Sequence, residues 1–457
     1  MQPGRQKIHF IAIGGSVMHN LAIALKEAGH QVGGSDDEIR EPARSALAAH
    51  QLLPEQTGWF PEKLNSVDQV ILGMHAQADN PELLMAQKLG LPITSFPDYI
   101  YQQSKDKQRI VIAGSHGKTT ITAIVIHVLR YFKRSFDYVI GAKVKGLTNS
   151  VKLSGAPVII IEGDEYLSSA LDPTPKFLRY QHHIGLISGV AWDHANVFPT
   201  EEEYVKQFDI FADQTPKGGI LIFCEQDSLA MMIGKKERAD VLGIPYKVHS
   251  HEVRNGKVFL KNGKEEFPIL LFGSHNLLNI NGAKELLKKI GISPEQFYEA
   301  LPSFEGASGR LEKISGTISS AVYKDFAHAP SKVKATINAM KEINPKKDLV
   351  ACLELHTYSS LNKDYLPNYK GSLKAAGQAI VYFEPEKVRA KKLEPLSEEY
   401  IRNAMALPDL LVFTDPGKLE EHLLTQSWEN KDLIMMSSGN FGGIDIKKLA
   451  EKILVKQ

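Results

Sequence analysis

The stretch Val111-Ile-Ala-Gly-Ser-His-Gly-Lys-Thr-Thr120 constrains the fold of this chain more than any other. An apolar run enters a turn bearing Gly114 and Gly117. Lys118, Thr119 and helix-forming residues then continue through about Tyr131. That order predicts a strand, a tight glycine turn and a helix. The turn lets backbone N–H groups approach an anion, the helix N-terminus adds positive potential, Lys118 neutralises charge, and Thr119 can ligate Mg²⁺. Ile112 stands where the common spacing of such motifs has its first glycine, so the pattern here is G-x-x-G-K-T. We read it as a nucleoside triphosphate site on a parallel α/β sheet.

The rest of the chain repeats the same alternation. Apolar runs at Ile8–Ile13, Val70–Gly73, Arg109–Ala113, Val158–Glu162, His183–Val190 and Ile220–Cys224 are each bounded by Gly, Asp or polar residues and separated by stretches of helical period. Beyond residue 314 the runs Leu349–Leu353, Ala379–Phe383, Leu410–Thr414 and Leu433–Ser437 restart the pattern. Strands alternating with helices imply βαβ units and parallel sheets. The polar run Tyr101–Lys107 and the glycine-loosened Phe304–Lys313 mark joints near 105 and 314, which predicts domains 1–105, 106–313 and 314–457. At 457 residues, several cores are expected.

Metal and phosphate need oxygen donors at strand ends. Val158-Ile-Ile-Ile-Glu-Gly-Asp-Glu165 runs an apolar strand into three acids, and the carboxyl edge of an open α/β sheet is where ligands collect. Glu162 is the natural Mg²⁺ ligand, with Asp164 and Glu165 near it; a solvated acidic turn is the plain alternative. Asp193-His194 ends the strand His183–Val190, and beside the phosphate turn His194 is a candidate neighbour of metal or phosphate. Near the N-terminus, Ile13-Gly-Gly-Ser-Val-Met-His19 follows a strand and precedes a helix (Met18–Glu27), and the acids Asp36 and Asp37 fall where a ribose-binding carboxylate would. A diphosphate on that turn suits NAD or a UDP-sugar equally, and a purely structural turn remains open.

Three further clusters carry polar chemistry. Gly273–Asn279 places His275, Asn276 and Asn279 around a helix start, where amides can read an adenine edge or Asn276 can simply cap. Arg310 closes the Gly306–Arg310 segment and could reach a transferring phosphate when domains close; it could also be a surface arginine. Tyr323–Pro330 ends a strand with Asp325 and His328, ahead of a helix carrying Lys332.

Composition excludes other classes. Fifty-four basic against 53 acidic residues leave no field to recruit nucleic acid or anionic membrane. Two cysteines, Cys224 and Cys352, cannot form a disulfide scaffold or a Cys-rich zinc site and suit a reducing compartment. No uncharged apolar run reaches the roughly 18 to 20 residues of a membrane span, and MQPGRQKIHF lacks the apolar core of a secretory signal. The expectation is a soluble cytoplasmic protein that acts on small molecules.

Taken in order, the segments His9–Met18, Gly34–Asp37, Gly114–Thr120, Glu162–Tyr166, Asp193–His194, Gly273–Asn279, Arg310 and Lys324–Pro330 resemble the Mur ligase family across essentially the whole chain. Within it they resemble the members that act directly on UDP-N-acetylmuramate. The resemblance implies three α/β domains: a Rossmann-like N-terminal domain, a central P-loop ATPase-like domain and a Rossmann-like C-terminal domain. The first would bind the UDP-sugar through Gly14, Gly15, Ser16, Val17, Asp36 and His75. The second would bind MgATP through Gly114, Ser115, His116, Gly117, Lys118, Thr119 and Thr120. Thr119, Glu162 and His194 would sit at the metal, and His275, Asn276, Asn279, Arg310 and Asp325 would complete the nucleotide site. Lys118, Glu162, His194, Arg310 and His328 would be the catalytic set. His356 and Tyr358 in the third domain would meet the incoming amino acid or peptide. The implied state is a monomer or weak homodimer.

The implied reaction is ATP-dependent amide formation through an acyl phosphate, consuming ATP with Mg²⁺ and releasing ADP. Two amines are in view. The segment Glu165–His183, with Asp172, Lys176, Phe177 and Tyr180, and the run Phe441–Ile444 resemble the recycling ligases, which join L-Ala-γ-D-Glu-meso-diaminopimelate to UDP-N-acetylmuramate. His356 in Glu354–Ser360 stands where those enzymes have Arg and where L-alanine ligases have His. Other departures are Ala329, Ser188-Gly189 and Gly309. The competing classes are a P-loop kinase or GTPase-like switch, for which no N-K-x-D segment is present, and a non-catalytic UDP-sugar-binding paralogue.

Overall fold

A computed structural model describes residues 4–142, 144, 146–195, 197–254, 256–307 and 309–455. Ser308, within the Gly306–Arg310 segment, lies outside the described residues. The chain divides into two compact units, one of Met1–Val190, Val205–Tyr246 and Gly282–Ser293, the other of Ala191–Tyr204, Lys247–Asn281 and Pro294–Gln457.

The first unit carries two sheets. The N-terminal sheet is fully parallel, in the order Gln31–Ser35, Lys7–Ile11, Gln69–Leu72, Ile93–Ser95. Its central strand KIHFI is buried after its first residue because helices cover both faces, the expected pattern for a parallel sheet. The larger sheet has seven strands, in the order Leu242–Tyr246, Ile220–Cys224, Ile184–Ile187, Gln108–Ala113, Val158–Glu162, Asp137–Val139, Val151–Lys152. Every pairing is parallel except the last. Gln108–Ala113 therefore sits mid-sheet, flanked by Val158–Glu162 and Ile184–Ile187, and its carboxyl end feeds straight into the glycine turn. The helix that follows spans Lys118–Tyr131, with Thr119 to Ile126 all buried. The polar run Tyr101–Lys107 is partly helical, since the helix Phe96–Gln102 ends inside it.

The second unit holds a six-stranded sheet in the order Glu312–Gly316, Ala321–Asp325, Lys431–Met436, Asp348–Leu355, Gln378–Phe383, Leu411–Phe413. Only the first strand runs antiparallel to its neighbour. One face packs Val333, Ile337 and Met340 of the helix Pro330–Ile343 against Leu353 and Leu355; the other packs Leu419, Leu423 and Leu449 against Val350 and Cys352. Residue 314 falls inside the edge strand Glu312–Gly316. A three-stranded antiparallel sheet, His251–Arg254, Lys257–Asn262 and Glu265–Ile269, was not anticipated. Its strands are mostly polar and partly exposed, so they lack the apolar runs that mark the others.

The molecule is thus α/β throughout, with three principal sheets. Among the described residues no helix is long and apolar enough to cross a membrane.

Candidate active site

The phosphate turn is shaped by two glycines at positive φ. Gly114 has φ +134°, and a Cβ there would lie 2.1 Å from Ser188 Oγ. Gly117, at φ +82°, caps the helix in the left-handed region. The neighbouring strand braces the turn. Ser188 N donates to Ala113 O (3.0 Å), Ser115 N donates to Gly189 O (2.9 Å), and Ser188 Oγ donates to His116 O. His116 packs on Gly189, where a Cβ would come within 2.3 Å of its ring. The Ser188-Gly189 departure therefore has a structural function: a small pair lets the turn close against this strand.

The acids at the end of Val158–Glu162 separate into different tasks. Glu162 Oε1 accepts from Thr119 Oγ1 (2.6 Å) and its Oε2 from Gly141 N (2.7 Å). Glu165 Oε2 lies 2.6 Å from Lys118 Nζ, and Asp164 Oδ2 lies 2.7 Å from Lys176 Nζ. Burial opposes the charge on Lys118, but Glu165, Asp164 and Glu162 together outweigh it and raise its pKa. Lys176 and Lys118 likewise help hold the Asp164 carboxyl below its usual range against burial. Asp164 and Glu165, expected near the metal, serve instead as partners of the two lysines. Glu162 and Thr119 are the part of the expected metal set that the first unit brings together. A hydroxyl and a carboxylate are hard oxygen donors, and Mg²⁺ takes one or two protein ligands while keeping waters and substrate phosphates, so these two residues fit it. Among the described residues no group of three or more His, Cys, Asp or Glu forms a metal cluster.

The N-terminal turn has its own geometry. Gly14 N donates to Asp36 Oδ2 at 2.7 Å, and the N–H groups of Ala12 and Ile13 donate to Ser35 O. Asp36 is buried, and that burial, reinforced by Asp37, lifts its pKa to about 6. Its carboxylate thus fixes the backbone of the turn, and Gly14 is needed because a Cβ would lie 2.9 Å from Asp36 Oδ2. Ser16 is exposed at the start of the helix Met18–Glu27, whose Val17 cap makes no side-chain hydrogen bond, so the helix N-terminus is available to an anion. Asn20, on the same helix, ties this sheet to the central one through Asn149 Nδ2 (2.9 Å). His75 is exposed and feels both Asp37 and Lys176. Lys176, whose segment suggested peptide specificity, thus belongs to the surroundings of the first unit's two turns.

In the second unit Asp193 is buried, 3.3 Å from Lys332 Nζ and 3.9 Å from both His328 Nε2 and His194 Nδ1. Burial would raise its pKa, but Lys332, His194 and His328 bring it to about 2. Burial and Lys332 push His328 down to about 3, so its imidazole is neutral. His194 has φ +59°, strained for a residue with a Cβ. Of the expected nucleotide residues, Asn276 Nδ2 donates to Phe272 O (2.9 Å), and His275 Nδ1 is buried with no hydrogen-bond partner among the described residues. Asn279 is buried as well. Asp325 accepts from Leu311 N (3.1 Å) and from Thr336 Oγ1, so it fixes the backbone beside Arg310. The Arg310 guanidinium lies 4.6 Å over the Phe326 ring.

At the carboxyl end of Asp348–Leu355, Glu354 is 1% exposed. Its Oε2 accepts from Ser437 Oγ and from Phe441 N (2.8 Å), while Oε1 lies 3.4 Å from His356 Nδ1. Burial works to raise its carboxyl pKa, and His356, Ser437 and Phe441 N outweigh that and lower it. Tyr358 opens the short helix Tyr358–Leu361. Lys387, which sequence reasoning passed over, stands 3.2 Å from His356 Nδ1. The strand-end rule that found Glu162 applies equally to Glu384–Lys387, just past the strand Gln378–Phe383.

The fold and these turns define an α/β nucleotide-dependent enzyme. Residues 7–108 match the family model "Mur ligase family, catalytic domain", and residues 112–286 match "Mur ligase middle domain". A UDP-N-acetylmuramate–L-alanine ligase of Carboxydothermus hydrogenoformans is 30% identical over 368 residues, covering 77% of this chain and 76% of that protein. Among solved structures, a UDP-N-acetylmuramate–alanine ligase from Thermotoga maritima aligns over 99% of both chains (TM-score 0.70, 20% identity). A murein peptide ligase from Psychrobacter arcticus aligns over 98% of both (TM-score 0.66, 22% identity). At those identities the structural matches speak for the fold. The chain belongs to the Mur ligase family. It is an ATP-dependent, ADP-forming amide ligase of peptidoglycan synthesis.

Proposed function

We propose that this enzyme joins the carboxylate of UDP-N-acetylmuramate to the amine of L-Ala-γ-D-Glu-meso-diaminopimelate. The observation that carries the ligase reading is the Lys118–Thr119–Glu162 constellation at the end of a mid-sheet strand, in the same unit as a second, open glycine turn at Gly14–Val17. The first turn would take ATP and the second the diphosphate of the UDP-sugar, with Asp36 holding that turn and His75 beside it. The segment Phe441–Ile444 supports the tripeptide. The names of the curated relatives, together with His356, favour L-alanine as a second reading.

The chemistry follows from the poor reactivity of a carboxylate. A carboxylate oxygen of the sugar attacks the γ-phosphorus, and ADP leaves. The amine nitrogen then attacks the acyl carbon of the acyl phosphate, loses a proton, and inorganic phosphate departs. Lys118 would neutralise phosphate charge, exchanging Glu165 for the nucleotide. Thr119 and Glu162, with His194, would hold Mg²⁺, which when bound offsets the charge of the phosphates. His275, Asn276 and Asn279 would meet the nucleotide base, and Arg310 the transferring phosphate. Neutral His328 would stand beside the reacting groups. We place the domains at 1–105, 106–313 and 314–457, the enzyme in the cytoplasm, and its state as a monomer or weak homodimer.

The test is direct. Purified enzyme with UDP-N-acetylmuramate and MgATP receives either amine, and products are weighed by mass spectrometry. The tripeptide adduct is expected; an L-alanine adduct alone would transfer the assignment to the second reading. Phosphate release with neither acceptor would point to an NTPase.

A further inference from the structure

Two nucleotides on two glycine turns can react only at one fixed spacing, because the sugar's carboxylate has to meet the γ-phosphorus at bonding range. Both turns lie in the first unit, and one side chain joins the elements that carry them. Asn20, near the start of the helix Met18–Glu27, donates from Nδ2 to Ser16 O (2.8 Å) and to His19 Nε2 (2.9 Å). Its Oδ1 accepts from Ser150 N (3.4 Å), and its backbone carbonyl accepts from Asn149 Nδ2 (2.9 Å). We propose that Asn20 is a positioning residue of the reaction: its amide seats the sugar-nucleotide turn on the strand pair that leads to Glu162, and so sets the distance across which the phosphoryl group moves. This inference rests on the ligase reading above.

The link is continuous on both sides. An amide nitrogen only donates, so His19 Nε2 is the acceptor from Asn20, and the neutral ring carries its proton on Nδ1 and donates to Gly15 O (2.8 Å). Gly15 O and Ser16 O, two carbonyls of the turn, are thereby held by consecutive side chains. On the central side Asn149 is itself fixed: Val151 N donates to its Oδ1 (3.3 Å) and Tyr138 OH to its backbone carbonyl (3.1 Å). Ser150 O accepts from Ile140 N (2.9 Å), which extends the antiparallel pairing of Asp137–Val139 with Val151–Lys152. The next residue, Gly141, donates its N–H to Glu162 Oε2 (2.7 Å). A Cβ on Gly141 would lie 3.4 Å from that oxygen, so backbone and glutamate meet closely. Hydrogen bonds at Ser16–Asn20, Asn20–Ser150, Ser150–Ile140 and Gly141–Glu162 therefore connect the first turn to the expected metal ligand. The Asn20 amide spends its nitrogen on the turn and its oxygen on the central sheet, which is what a spacer between two binding elements requires.

The experiment compares wild type, Asn20→Ala and Asn149→Ala in the full-length enzyme. Asn149→Ala cuts the link from the central side and leaves the bonds to Ser16 O and His19 in place. With an amine present, single-turnover ADP formation from UDP-N-acetylmuramate and MgATP should slow about 10- to 100-fold in Asn20→Ala, the cost of a reactant displaced by about 1 Å. Asn149→Ala should slow it by a smaller factor. KM for both nucleotides should stay at the wild-type value, because the groups that bind them are untouched. A second readout needs no turnover. Mn²⁺ replaces Mg²⁺ beside a non-hydrolysable ATP analogue, and ³¹P relaxation of the bound UDP-N-acetylmuramate diphosphate reports its distance from the metal. Relaxation should be enhanced in wild type, and the enhancement should fall in both variants. A tether that serves stability alone would lower the melting temperature and leave rate and relaxation of the folded enzyme unchanged, which overturns the proposal. A raised KM for UDP-N-acetylmuramate at an unchanged rate overturns it too, since Asn20 would then belong to binding. So does a loss in Asn20→Ala with a silent Asn149→Ala, since the link across would then carry nothing. Failure of wild type to ligate either amine would sink the ligase reading, and the relaxation difference would still decide whether Asn20 sets the spacing.

Discussion

Glu162 and Glu354 look alike in sequence, each a glutamate at the carboxyl end of an apolar strand, VIIIE in one sheet and DLVACLEL in the other. In the fold they differ. Glu162 is partly exposed and accepts from a threonine hydroxyl and a backbone N–H, an arrangement that a cation can enter. Glu354 is sealed, with one oxygen saturated by Ser437 and Phe441 N and the other facing His356 and Lys387. Strand position brings an acid to the ligand edge; what the adjoining loop offers decides whether it stays open to an incoming cation or holds a side-chain cation.

The two glutamates should therefore fail differently. The largest effect belongs to the lysine on the Glu162 side. Lys118→Ala should lower turnover about 1000-fold or more, as expected when a phosphate-neutralising cation is removed, while UDP-N-acetylmuramate still binds. Steady-state kinetics and a binding titration read both quantities, and normal turnover would remove the cradle assignment. Glu162→Gln should raise the Mg²⁺ concentration for half-maximal rate about 10- to 100-fold, with thermal stability nearly intact. Glu354→Gln should do the reverse, costing about 1–3 kcal/mol in denaturant unfolding and leaving the Mg²⁺ requirement unchanged. If both variants changed metal dependence equally, the contrast between the two strand ends would be broken.

A third strand-end acid gives the smallest effect and sharpens the picture. Asp36 titrates near 6 in the fold against 3.8 for the free side chain, chiefly through burial. Between those values the folded state binds more protons than the unfolded one, so this group favours folding at low pH and its contribution fades as pH rises through about 6. The difference in unfolding free energy between wild type and Asp36→Asn should therefore drift in the variant's favour from pH 4 to 7 and level off above. A flat difference would mean that the carboxyl is not buried as described.

The phosphate turn was legible because its information is local. Gly114, Gly117, Lys118 and the helix to Tyr131 lie in one short stretch, and the helix bounds match what the pattern predicts. Thr119 meeting Glu162 was legible too, because neighbouring parallel strands end at one edge. What stayed hidden was the choice of partner across long separations. Nothing local says that Glu165 takes Lys118 while Asp164 takes Lys176, or that Lys387 reaches His356 from the next strand. Asp36 and Asp325 were read as ligand-facing acids, yet both hold backbone N–H groups, a task that spacing alone cannot distinguish. The sheet Val253 helps build escaped because its strands are polar and short.

The measurement that bears most directly on the whole account is a calorimetric titration of UDP-N-acetylmuramate into enzyme already saturated with a non-hydrolysable ATP analogue and Mg²⁺. Two independent turns predict one equivalent of sugar nucleotide bound with the analogue still in place, and loss of the analogue site alone in Lys118→Ala. Mutual displacement of the two nucleotides would contradict it.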